Sequence, residues 1–112
     1  MSGAVWLLRD GDVLASAEIA ASAAARRRGL LGRDRVDGAF VLRPCRQVHT
    51  MGMKVPLDVA FCDVRGRVLR ICSLPPWRLS RPVWHAAFVV EAAAGAFARW
   101  QLEPGDRIEV RG

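Results

Sequence analysis

The stretch L-D-V-A-F-C-D-V-R-G-R-V-L-R-I-C-S-L, Leu57 to Leu74, decides how this chain folds. Leu57–Cys62 and Arg67–Leu74 are short runs rich in valine, leucine, isoleucine and cysteine. Between them Asp63-Val64-Arg65-Gly66 carries a turn signal, with Gly66 able to take a positive φ. The pair reads as a hairpin. If the turn has two central residues, Arg65 and Gly66, Cys62 faces Leu69 and Cys72 faces Val59, so the two thiols point to opposite sides of the sheet. A three-residue loop shifts the parity and reverses that.

The same grammar extends in both directions. Ala4–Arg9 and Asp12–Ile19 are extended runs joined by Asp10-Gly11, a strong hairpin signal. From Ser22, a good helix cap, A-A-A-R-R-R predicts one short helix stopped or kinked by Gly29 and Gly32. Ala39–Leu42 is a strand ended by Pro44. Val48–Met53 reads as a further strand, interrupted near Pro56. Ser73–Trp84 carries three prolines and two tryptophans and is a long loop, because proline donates no ladder hydrogen bond. Ala86–Glu91 is a strand, Gly95–Trp100 a helical turn, and Arg107–Val110 a last strand. The expected fold is mainly β: a small, mostly antiparallel sandwich or barrel of seven or eight short strands with one or two short helices, as a single domain over residues 1–112.

Composition sets the outer bounds. A chain of 112 residues with 52% hydrophobic and 25% charged content suits one compact domain with its own core. No apolar run approaches a membrane span, and the N-terminus lacks the basic start of a signal peptide. Cytoplasmic residence and a monomer are expected. Cys45, Cys62 and Cys72 are odd in number and irregular in spacing, so they read as thiols rather than as a disulfide framework. Without a C-x-x-C pair no metal site is expected, and no cofactor motif is present. The net charge of +6 comes from sixteen arginines and the single Lys54. Arginines 26, 27, 28, 33 and 35 cluster, but no aromatic alternates with them, so nucleic acid is disfavoured as a partner.

The candidate site begins at R-Q-V-H-T-M-G-M-K-V-P-L-D, Arg46 to Asp58. Extended alternation places His49, Met51, Met53 and Val55 on one apolar face and Thr50, Gly52 and Lys54 on the other. His49 is read as a packed histidine first and as a base or ligand second. Cys45 is four residues earlier, roughly 13 Å along a strand, too far for a thiol–imidazole pair without a turn. It is kept as a reactive-thiol candidate only. Asp58 is the odd acid in an apolar strand. It needs an arginine partner or backbone N–H groups, or else it is a pocket acid. Trp77 and Trp84 sit on a proline-stiffened loop suited to a protein partner or to a small ligand such as the flat face of a sugar.

With these residues laid out, the chain resembles domain-of-unknown-function family 192, also called uncharacterised protein family 0127. The resemblance rests on R-R-G-L-L-G-R (27–33), G-A-F-V-L-R-P (38–44), V-P-L-D-V-A-F-C-D (55–63), G-R-V-L (66–69), F-V-V-E-A-A-A-G (88–95) and P-G-D-R-I (104–108). It covers nearly everything after residue 15. Many members carry a W-M-x-N-T segment before the Pro-Leu-Asp. This chain is similar to a variant with V-H-T-x-G-M and a downstream L-P-P-W-R, here Leu74 to Arg78. The resemblance implies a compact β sandwich or jelly-roll-like domain with one helix, and it carries no established reaction, cofactor or catalytic set. The leading expectation is a non-enzymatic binding or accessory module using His49, Met51, Asp58, Trp77 and Trp84. The alternative is a small hydrolase-like enzyme using His49 and Asp58, with Cys45 as a further candidate.

Overall fold

A computed structural model describes residues 5–20, 22 and 30–112. The helix expected beyond Ser22, with Arg26, Arg27 and Arg28, lies outside the described residues. The elements are β1 (Trp6–Arg9), β2 (Asp12–Ala20), β3 (Ala39–Leu42), β4 (Leu57–Cys62), β5 (Val68–Leu74), β6 (Phe88–Ala93), α1 (Ala96–Trp100) and β7 (Ile108–Arg111). The expected mainly β architecture is present. Residues 48–53 are the exception, forming an isolated bridge and a turn instead of a regular strand.

The β1–β2 hairpin turns at Asp10 (φ 52°) and Gly11 (φ 84°). Both central residues are left-handed, as a tight turn matched to strand twist requires. β2 is long enough to serve two neighbours. Its first part pairs antiparallel with β1, and Ala17–Ala20 pair in parallel with β3. The remaining pairings are antiparallel, giving the order β5-β4-β6-β3-β2-β1-β7. The two ends of that order then meet. Arg67 bridges Arg107, Val68 N–H donates to the Asp106 carbonyl at 2.8 Å, and Ile108 N–H donates to the Gly66 carbonyl at 2.9 Å. The sheet therefore curls into a barrel joined at a short seam, which shields its edges from further pairing.

At the seam Gly66 has φ +85°, and a Cβ there would run into the Ile108 carbonyl oxygen. Only glycine lets the two backbones approach so closely.

Two apolar layers follow from strand parity. The inner cluster includes Leu7, Val41, Ala60, Cys62, Val68, Val90 and Ile108, with Leu14, Ala15 and Ala17 of β2 packed against it, and α1 contributes Ala96 and Phe97. The small Ala39, Ala60 and Ala92 leave room for Phe88 and Phe97 in the narrow interior. The outer cluster lies on the opposite side of β3, β4 and β6, with Phe40, Leu42, Leu57, Val59, Phe61 and Val89. It is covered by connecting segments that supply Leu30, Val36, Val48, Met53 and Ala86. Burial on both sides explains why β3 and β4 read as continuous apolar runs rather than as alternation.

In the β4–β5 hairpin Val59 faces Cys72, while a register shift after Phe61 sets Cys62 opposite Val68. Cys62 belongs to the inner cluster and Cys72 packs against the outer one, so the thiols do point to opposite sides. Burial pushes the Cys62 thiol up to about 12 and also raises Cys72.

Candidate functional site

The covering segments of the outer layer are held by a ribbon of two strands' worth of backbone. Residues 46–50 run against 78–83. Val83 N–H donates to the Arg46 carbonyl at 2.8 Å, Ser80 N–H to Val48 at 2.9 Å, and Thr50 N–H to Arg78 at 2.7 Å. Side chains complete the ladder where it is irregular. Ser80 Oγ accepts from Val48 N–H at 3.0 Å, and Gln47 Nε2 donates to the Ser80 carbonyl at 2.9 Å. The proline-rich loop thus pairs along its non-proline positions.

Thr50 is the hub. It is fully buried, and its hydroxyl donates to the Pro75 carbonyl at 2.6 Å while accepting from Arg78 N–H at 2.8 Å. Its carbonyl accepts from Trp77 N–H at 2.8 Å and from Met53 N–H at 3.0 Å. Trp77 is held at φ 64°, a conformation a bulky side chain avoids by about 1–3 kcal/mol. The bonds to Thr50 hold it there.

The expected facing of this segment is therefore corrected. His49 bridges Leu79 and is exposed, whereas its neighbours Val48 and Thr50 point inward. Period two holds across Val48–Thr50 with the opposite phase. The chain then turns at Gly52 (φ 79°), which carries Met53 into the outer core and leaves Met51 outside. His49 Nδ1 accepts from Met51 N–H at 3.2 Å, so the neutral ring carries its proton on Nε2.

Asp58 takes its partners from the backbone. It is 8% exposed and lies on the inner face, where Oδ2 accepts from Gly95 N–H at 3.0 Å and Phe97 N–H at 3.1 Å. It closes the open N-terminal donors of α1 from across the barrel. Backbone N–H groups were among the expected partners, but these come from 37 and 39 residues away. His49 lies on the ribbon over the outer face, so the two residues of the hydrolase reading are on opposite sides of the sheet. Nothing in the geometry brings them together.

The two tryptophans also part company. Trp77 is beside Thr50 at one end of the ribbon. Trp84 follows Val83, the partner of Arg46, at the other end, on the order of 13 Å away along the ribbon. Around the first end stand Met51 (42% exposed), Trp77 (62%), Leu79 (61%) and His49. Leu31 (49%) lies against Gly52, its Cδ1 2.6 Å from where a Cβ would stand. At the other end Trp84 lines a groove with Pro44, Cys45, Arg46 and His85. The Cys45 thiol donates to the Gln47 carbonyl at 3.2 Å. No group of three or more histidine, cysteine or acidic residues suited to a metal is found among the described residues.

Three residues escaped sequence reasoning. Thr50 and Ser80 work through the hydroxyl, which periodicity treats as merely polar. Glu91 sits in β6 between Phe40 and Val59, 4% exposed, and burial raises its carboxyl to about 7. An acid in F-V-V-E-A-A-A was the available signal.

The sequence profile of DUF192, described as an uncharacterized ACR, matches residues 6–110. A UPF0127 protein of Pyrococcus furiosus is 34% identical over 62 residues, and one of Pyrococcus abyssi is 32% identical over the same length. Each match covers 55% of this chain and 53% of the relative, so it spans about half the length of these curated proteins. Among solved structures, a protein of unknown function from Novosphingobium aromaticivorans superimposes with a TM-score of 0.79 at 21% identity, covering 95% of this chain and 83% of that one. A Sinorhizobium meliloti protein, described as a candidate transcription regulator, gives 0.78 at 24% identity, covering 96% and 92%. At these identities the likeness is one of fold. No described helix is long and apolar enough to cross a membrane.

Proposed function

The chain belongs to the DUF192 family, whose description assigns no activity, and from its own surface we propose a single-domain, monomeric binding module that docks a protein partner on the Thr50 end of the ribbon. The observation that carries this reading is the cluster of Met51, Trp77 and Leu79 around His49, each apolar side chain being 42–62% exposed. Large side chains grouped on one surface mark interaction sites more often than scattered ones do. Covering each of them contributes about 0.8–1.5 kcal/mol, since roughly half of the full burial value is still available. The latch through Thr50 fixes the backbone beneath them, which lowers the ordering cost of docking. Cytoplasmic residence belongs to the same reading, in keeping with Cys62 and Cys72 on opposite faces of the sheet.

A photo-crosslinking residue at Leu79, introduced into the chain in its source cells, tests the proposal. A discrete adduct is expected, competed by unlabelled protein and lost on Trp77→Ala. Labelling at Val64, exposed on the β4–β5 turn, is the control. Equal adducts at both positions, or none at Leu79, would overturn the reading.

A further inference from the structure

The groove at the other end of the ribbon has a different chemistry. Its volume is about 1040 Å³, and its lining includes Pro44, Arg46, Asp63, Trp84, His85 and Ala86. We propose that this groove binds a small planar anion, an aromatic or heteroaromatic ring bearing a phosphate or carboxylate. The size accommodates such a ligand with room to spare.

Arg46 supplies the anion contact. Its backbone is fixed by the bond from Val83, and its Nε donates to the Ala86 carbonyl at 3.4 Å. Its two terminal nitrogens have no protein partner among the described residues. Asp63 lines the same groove and could have neutralised it. Instead, Asp63 Oδ1 accepts from Arg65 N–H and Arg67 N–H, both at 2.9 Å, and no ion pair joins it to Arg46. A guanidinium anchored through Nε still offers its terminal fork, a geometry matched to carboxylate or phosphate oxygens.

Trp84 supplies the planar contact. It is 71% exposed, the most open tryptophan among the described residues. An indole face left to solvent suits stacking by another ring. His85, also exposed, adds a ring N–H donor. The net charge of +6 favours an anion at long range.

The test titrates the protein with phenyl phosphate, benzoate, inorganic phosphate and benzamide, following the Trp84 indole N–H and the Arg46 and Ala86 amides by NMR. Phenyl phosphate or benzoate should shift these signals, and their relative affinity identifies the preferred anion. Inorganic phosphate and benzamide should bind weaker by about tenfold or more, each lacking one of the two contacts. Arg46→Lys keeps the charge but loses the fork, and Trp84→Leu loses the stacking face. Each should weaken binding by about tenfold with the remaining spectrum unchanged. Lys54→Gln removes a charge at the far end of the ribbon and should bind as wild type. The proposal is overturned if neither aromatic anion shifts the groove signals, if benzamide or inorganic phosphate binds as tightly, or if Arg46→Lys binds unchanged.

Discussion

Glu91→Gln should remove a pH dependence of stability that the wild-type sheet shows between about pH 4.5 and 7. Glu91 is flanked by Phe40 and Val59 on neighbouring strands, and no hydrogen bond or ion pair engages its carboxyl among the described residues. Arg33 lies across the Phe40 ring, 5.7 Å from its centroid, but is paired with Glu18 at 3.0 Å. Burial alone therefore sets the carboxyl, moving it from an ordinary 4.5 to about 7. Between those values the folded protein holds a proton that the unfolded chain has released, so stability falls as pH rises. The contribution is fully present below about pH 4.5 and is lost as pH passes 7. Integrated over the interval it amounts to about 3 kcal/mol. Glutamine keeps the shape without the charge. Urea unfolding followed by tryptophan fluorescence from pH 4.5 to 8.5 should show wild type weakening relative to Glu91→Gln by about that amount. His49 and His85 are exposed and common to both proteins, so they cancel in the difference. A difference that stays constant across the range, or that favours wild type as pH rises, would refute the reasoning.

Thr50→Val should cost about 2–4 kcal/mol, because it strips partners from the Pro75 carbonyl and the Arg78 N–H while preserving shape. Hydrogen exchange should then quicken at Trp77 and Arg78 before it does in β4; slow exchange there would show that the latch is not the hydroxyl. Asp58→Ala should cost about 2–3 kcal/mol in chemical denaturation and Asp58→Asn about 1 or less, since one amide oxygen can still accept from Gly95 and Phe97. Equal losses would place the effect in the charge instead. Gly66→Ala should lower stability by at least about 2 kcal/mol, more than Gly105→Ala, which also has positive φ but open space around it. Equal thermal shifts for the two variants would remove the seam collision as the cause.

Much of the barrel was legible residue by residue. Asp10-Gly11 announced its hairpin through glycine's access to positive φ. The apolar runs of β3, β4, β5 and β6 lay within two residues of their final limits, because burial on one or both faces leaves a compositional trace. The ribbon was not legible in the same way. His49-Thr50-Met51-Gly52-Met53 alternates correctly but carries no sign of which phase faces inward. The apparent vote of two methionines and a valine was undone by the turn at Gly52. Asp58 was recognised as needing a partner, yet α1 lies more than thirty residues downstream, and local pattern has no reach over that distance.

By itself the sequence determined the class of fold, most of the strands, and the residues at which chemistry had to be resolved: His49, Asp58, Trp77 and Trp84. Those follow from local steric and hydrophobic preferences, which act within a few residues. Only the tertiary structure decided that the sheet closes at Gly66 and Ile108, that Asp58 caps a helix, and that Thr50 rather than His49 organises the ribbon. It also decided that Trp77 and Trp84 serve opposite ends of that ribbon. Each of these depends on a hydrogen-bond donor finding its acceptor across the chain, and satisfying buried polar groups is a condition on the whole fold rather than on any one segment.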